Sequence, residues 1–271
     1  VGALAAADFR MGREGRAEFA ESLAPEAADA MHHGSTVIFA TRMAALPTSF
    51  PDVPWAEAVS RGYSDLGGQV VDQHDNVGGL THFWEYGQYL DPLRDAEAIR
   101  DHLLCAVYGA FATAKRLHPE RNANLELARV GIVPAGGESR RLMGDHILTE
   151  GDIRAGTIFP DGAAVGTGHF CLHYPGGDYD FRLGDWQWIE VPTFTIPFRC
   201  LYSRNVPNLM MAGKHISVTH IAGSCTKTML NGGQMGVAVG AAAYLCRKHR
   251  AVPREVGQDH IHELQEIVAR Q

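Results

Sequence analysis

Between Asn208 and Leu245 the chain sets a short apolar run, a glycine, a polar loop and then a long segment of small residues. The run Asn208–Ala212 (NLMMA) reads as a strand ending at Gly213. Lys214-His215-Ile216-Ser217-Val218-Thr219-His220 reads as the loop. Asn231-Gly232-Gly233 marks a helix start, and Gly232–Arg247 reads as the helix. Arg247, Lys248 and His249 suit the negative end of its dipole. Such a unit needs neighbours in a sheet and a helical layer, which restricts the chain to a mixed architecture. A Gly-rich helix start presents unpaired N–H groups and partial positive charge to an anion or an electron-rich carbonyl. Glycine also lets a flat ligand lie against the backbone. The competing reading is close packing of helices through small residues, and a single Gly-rich start does not choose between them.

Other segments read less sharply. Glu14–Ala30 has helical composition, broken at Pro25. Ser35–Ala40, Thr81–Tyr86, Arg129–Pro134 and Ala163–His173 read as strands, and Gly176-Gly177 as a turn. Asp95–Leu117 is the best helix of the first half, with Ile99, Leu103, Val107 and Phe111 four apart and Asp95 as its cap. Pro192 and Pro197 restrict Glu190–Cys200 to a short or edge strand. Asp259–Arg270 reads as an amphipathic helix. The mixture predicts an α/β or α+β class, and 271 residues supply one large domain or two smaller ones.

Several partners are excluded. With 24 Lys+Arg against 31 Asp+Glu the formal charge is −7, which gives no reason to expect nucleic acid. The longest apolar run, Met235–Cys246, is too short to span a bilayer. Five scattered cysteines with no CxxC argue against a disulfide framework or structural zinc, so a cytoplasmic location is expected. The 14 histidines include no HExxH; His260 and His262, two apart, point to different helix faces, and no metal centre is expected.

Four places can carry chemistry. Arg140 and Arg141, within Glu138–Asp145, form either a bidentate anion site or a salt-bridge cluster. His173 and Tyr174 close a strand and can serve as acid and base. Arg199 is the lone charge in Ile196–Leu201, a place where an arginine finds either an internal partner or a substrate carboxylate. Cys200 and Cys225 are candidate nucleophiles, but no Cys–His pairing is visible and both read by default as buried thiols.

Three segments, ESRRLMGDHILTEGDI (138–153), IPFRCLYSRNVPNLMMAGKHISVTH (196–220) and GGQMGVAVGAAAYLCRKH (232–249), together resemble the C-terminal part of the FAD-dependent oxidoreductase family. DFRMGREGRAEFAESLAPE (8–26), THFWEYG (81–87) and LHYP (172–175) resemble it too, so the likeness covers almost the whole chain. The sequence departs from the family pattern at Gly137, His215 and Thr226-Lys227-Thr228.

The resemblance implies an α+β substrate domain inserted in a Rossmann-like FAD domain, of which only the C-terminal strand and helix are present. The GxGxxG fingerprint of relatives is absent and the chain starts at Val1 without an initiator Met, so it corresponds to about the last two-thirds of a relative. Residues 1–8 would end the first FAD-binding part, 9–205 form the substrate domain, 206–250 return the FAD-domain strand and helix, and 251–271 add a C-terminal helix. Gly213, Lys214, Ser217, Gly232, Gly233, Gln234 and Met235 would neighbour the flavin. His173, Tyr174, Arg199 and His220 would act on a small oxygen-rich substrate, while Arg140 and Arg141 hold an anion or the structure. The expected activity is hydride transfer; the alternative is a non-catalytic fragment that cannot hold FAD alone. Self-association through the unpaired strand Asn208–Ala212 is also expected.

Overall fold

In a computed structural model, residues 1–56, 85–176 and 179–270 are described, the side chains of 175–186 excepted. The strands are β1 (Phe9–Arg10), β2 (Ser35–Thr36), β3 (Phe39–Met43), β4 (Leu125–Val130), β5 (Ala135–Gly136), β6 (Arg141–Leu142), β7 (Gly162–Gly166), β8 (His169–Gly176), β9 (Tyr179–Glu190) and β10 (Phe194–Pro197). The helices are α1 (Arg16–Phe19), α2 (Ala96–Leu117), α3 (Glu150–Arg154), α4 (His220–Thr226), α5 (Met229–His249), α6 (Pro253–Asp259) and α7 (Ile261–Val268). Helix and strand are mixed, as the α/β reading requires, and the described strands pair two by two. The chain divides into two units. The first is Val1–His32, Gly137–Leu172 and Trp186–Gln271; the second is His33–Gly136 and His173–Asp185.

The second unit is built on α2. Ile99, Leu103, Val107 and Phe111 recur on one face, and that face packs with Val37, Phe39 and Leu125. β3 and β4 pair antiparallel, Phe39 opposite Val130 and Met43 opposite Leu125, with a bulge between Ala40 and Thr41. The expected strand Arg129–Pro134 therefore lies earlier, at Leu125–Val130. Beyond Val130 the chain leaves the ladder, and Pro134 has no N–H to continue it. The expected strand Ser35–Ala40 is divided between β2 and β3. Most of the expected strand Thr81–Tyr86 lies outside the described residues; Tyr86 bridges Ser35.

In the first unit, β7 and β10 pair antiparallel with Phe194 opposite Gly166. A Cβ on Gly166 would strike the Phe194 ring, so only glycine fits beneath it. One face of α5 buries Met235, Ala238, Ala242 and Leu245. Its other face leaves Met229, Leu230, Val237 and Tyr244 exposed.

Several expectations need correction here. Glu14–Ala30 is helical only at Arg16–Phe19, because Arg13 and Asp29 exchange backbone bonds and a guanidinium–carboxylate pair that close the segment into a loop. Ala163–His173 is two strands. Asn208–Ala212 forms no strand. Met210 makes only an isolated bridge to Tyr202, and the Leu209 carbonyl and Met211 N–H are taken by Ser203 and Leu201. The long helix starts at Met229, not Gly232, because Thr228 takes the extended N-cap conformation. Asp259–Arg270 is interrupted: α6 ends at Asp259, and His260, with non-helical angles, starts α7.

Candidate functional site

The turn after Ala212 is set by Gly213, whose φ of 74° lies in the left-handed region. A Cβ on Gly213 would meet nothing within 4 Å among the described residues, and the same holds at Gly233. At Gly232 it would meet only the Gly213 Cα, at 3.6 Å. The backbone at Gly213, Gly232 and Gly233 thus forms an open ledge, with no side chain of its own standing on it. Thr228 makes no side-chain bond to the helix amides behind it, so their partial positive charge is uncapped by it. Lys214 stands in the turn; burial pushes its ammonium pKa down and Glu138 pulls it back up. Ser217 Oγ is buried and has no partner among the described residues.

Two of the expected flavin neighbours are engaged elsewhere through their side chains. Met235 is core. Gln234 bonds both backbone groups of Val165, accepting from its N–H at 3.1 Å and donating to its carbonyl at 3.0 Å.

The arginine pair divides. Arg140 lies over the Phe9 ring, 5.0 Å from its centroid. Arg141 is 1% exposed, and its guanidinium is held on every side. Nε donates to the Val218 carbonyl, Nη1 to Glu138, and Nη2 to the Gly12 carbonyl and Glu14. The same two carboxylates reach His220: Glu138 Oε2 lies 2.8 Å from Nδ1, and Glu14 accepts from the backbone N–H at 2.8 Å. Of the two sequence readings, the geometry of Arg141 fits the buried salt-bridge cluster. Spacing could not reveal Glu14, 127 residues away.

Arg199 also has an internal partner. Asp161 takes its Nε at 2.9 Å and Nη2 at 3.2 Å, and this pairing raises the guanidinium pKa. Nearby in sequence, Asp145 is held below the ordinary carboxylate value by two bonds from Arg254, with Tyr202 adding a third. A depressed carboxylate stabilises the fold above its unfolded pKa, 3.8, and loses that contribution as pH falls through the lower folded value. Arg254→Ala is therefore expected to move acid unfolding to higher pH while changing neutral stability by about 1 kcal/mol or less. Circular dichroism across an acid titration reads this, and an unmoved midpoint would contradict it.

His173 and Tyr174 belong to the second unit. They are successive residues of β8, so strand geometry sends them to opposite faces and does not bring them together. His173 instead meets Glu85, Nδ1 to Oε1 at 2.6 Å, with the His33 ring edge-on at 5.1 Å. A carboxylate accepts, so Nδ1 carries the proton. Sequence reasoning missed Glu85; its place in the quoted THFWEYG segment was the available signal.

The cysteines are all free thiols. Burial raises the pKa of both buried ones, Cys225 to about 11 and Cys200 further, so neither is a nucleophile near neutrality. No helix among the described residues is long and apolar enough to cross a membrane. Among curated proteins and solved structures nothing matches the chain. The family model described as FAD dependent oxidoreductase matches residues 1–268. The match spans nearly the whole length and accords with the three segments that carried the resemblance, so the chain belongs to the FAD-dependent oxidoreductase family.

Proposed function

We propose that this chain serves hydride transfer between a small oxygen-rich organic substrate and FAD. The observation that carries the reading is the open backbone ledge at Gly213, Gly232 and Gly233 in a chain whose family binds FAD. FAD, when bound, supplies the centre that takes or gives the hydride. The residues present fit a flat, electron-rich ring. Gly213 and Gly233 leave room for it, Ser217 Oγ offers an unused hydrogen bond, and Lys214 and the first turn of α5 offer positive charge.

Within the second unit, His173 is the group that moves a proton, with Glu85 accepting from its Nδ1 and orienting the ring. Arg199, its charge partly answered by Asp161, orients substrate oxygens. His220, fixed by Glu138, is a second proton-holding group, and Arg140 is the arginine of the pair left to hold an anion. The five free thiols fit a cytoplasmic setting.

Titration of the purified chain with FAD, followed by calorimetry or flavin fluorescence, is the test. Saturable binding in the micromolar range, about −8 kcal/mol, is expected. Gly233→Val, which fills the ledge, is expected to weaken it at least about tenfold, or 1.4 kcal/mol. No saturable binding, or equal binding by the variant, defeats the proposed site.

A further inference from the structure

His249 is the last residue of α5, His260 stands at the corner between α6 and α7, and Glu263 lies in the first turn of α7. All three belong to the first unit. One donor atom from each lies within 4.8 Å of the other two. His249 Nε2 is 2.7 Å from Glu263 Oε2. The two imidazoles stack with centroids 3.8 Å apart and planes 10° from parallel. All three residues are half-buried.

The backbone fixes this meeting. Arg250 takes the left-handed conformation, φ 56°, and turns the chain out of α5. The His260 N–H bonds back to the Val256 carbonyl, and its own carbonyl accepts from Leu264. Histidines 11 positions apart in sequence are thereby stacked. His262, the neighbour that sequence spacing compared with His260, is exposed and takes no part.

Two imidazoles and a carboxylate form a ligand set that zinc uses when a fourth position is left to water. Copper and nickel bind the same donors. Lys248 holds Glu263 through Oε1, which leaves Oε2 toward the histidines. The negative end of the α5 dipole also favours a cation beside His249. Tetrahedral coordination sets donors about 3.4 Å apart, so the His249–Glu263 pair at 2.7 Å opens while pairs as wide as 4.8 Å close by up to about 1.4 Å. Stacked rings cannot both aim in-plane lone pairs at one ion, so one imidazole must swing out of the stack. Their partial exposure leaves room for that rotation.

We infer that His249, His260 and Glu263 form a site for one divalent transition-metal ion of the zinc class, with water completing its shell. The ion ties the end of α5 to the α6–α7 corner.

The test is equilibrium dialysis of the chelator-treated chain against Zn2+, with Co2+ absorption as the geometric readout. One ion per chain, visible Co2+ bands of tetrahedral intensity and a higher melting midpoint with Zn2+ are expected. His249→Ala, His260→Ala and Glu263→Gln are each expected to weaken binding at least about tenfold and remove the Zn2+ effect on melting. His262→Ala is expected to bind as the parent does. Circular dichroism without metal checks that each variant is folded, and His260→Gln replaces any alanine variant that is not. Absence of saturable binding, or loss in fewer than all three positions, overturns the site.

Discussion

Arg141→Ala is expected to destabilise the first unit by about 3–5 kcal/mol. The loss comes mainly from what is left behind. Glu14 and Glu138 are both buried, and without the guanidinium they lose their closest cation, leaving His220 beside both and Arg10 3.8 Å from Glu14. The Gly12 and Val218 carbonyls also lose their donor. Against a typical total of about 5–15 kcal/mol this is a large share. Urea unfolding measures it, and hydrogen exchange should rise first at residues 12–14 and 218–226. Combining Arg141→Met with Glu14→Gln and Glu138→Gln removes the charges together and should recover part of the loss. A change below about 1 kcal/mol in Arg141→Ala would show that the cluster is not a stabilising centre.

Phe111→Ala is expected to act on the second unit with similar size, about 3–5 kcal/mol. Phe111 is fully buried on the inner face of α2, with Phe50 edge-on at 4.7 Å. Deleting the ring opens a cavity between α2 and the β3–β4 ribbon. Hydrogen exchange should rise at 96–117 and 125–130. If the variant instead unfolds the segments that answer to Arg141, the two units do not have separate cores.

The two substitutions differ in how far sequence alone leads to them. Phe111 was legible because its reason is local: one residue per turn faces the core, and four such residues reveal α2. Arg141 was visible as a residue but not as a role. Its partners come from residues 12, 14, 138 and 218, and only the fold collects them. The same limit applies to His249 and His260 and to Glu85 with His173. The start of α5 was misplaced by three residues for another reason. Glycines read as punctuation in the sequence, whereas Thr228 supplies the break in backbone conformation and Gly232 and Gly233 fall inside the helix. The Asn208–Ala212 strand failed because apolar composition does not make a strand without a partner for its amides. The family resemblance was legible because it rests on residue identities in order, which needs no geometry.

The thiols of Cys200 and Cys225 lie wholly inside the first unit, with pKa values raised well above neutrality. A soluble alkylating reagent reaches them only when the surrounding structure opens. At fixed pH, the rate at which these two thiols are alkylated, resolved from Cys105, Cys171 and Cys246, therefore works as a chemical clock that records at each temperature how often the interior of that unit is exposed.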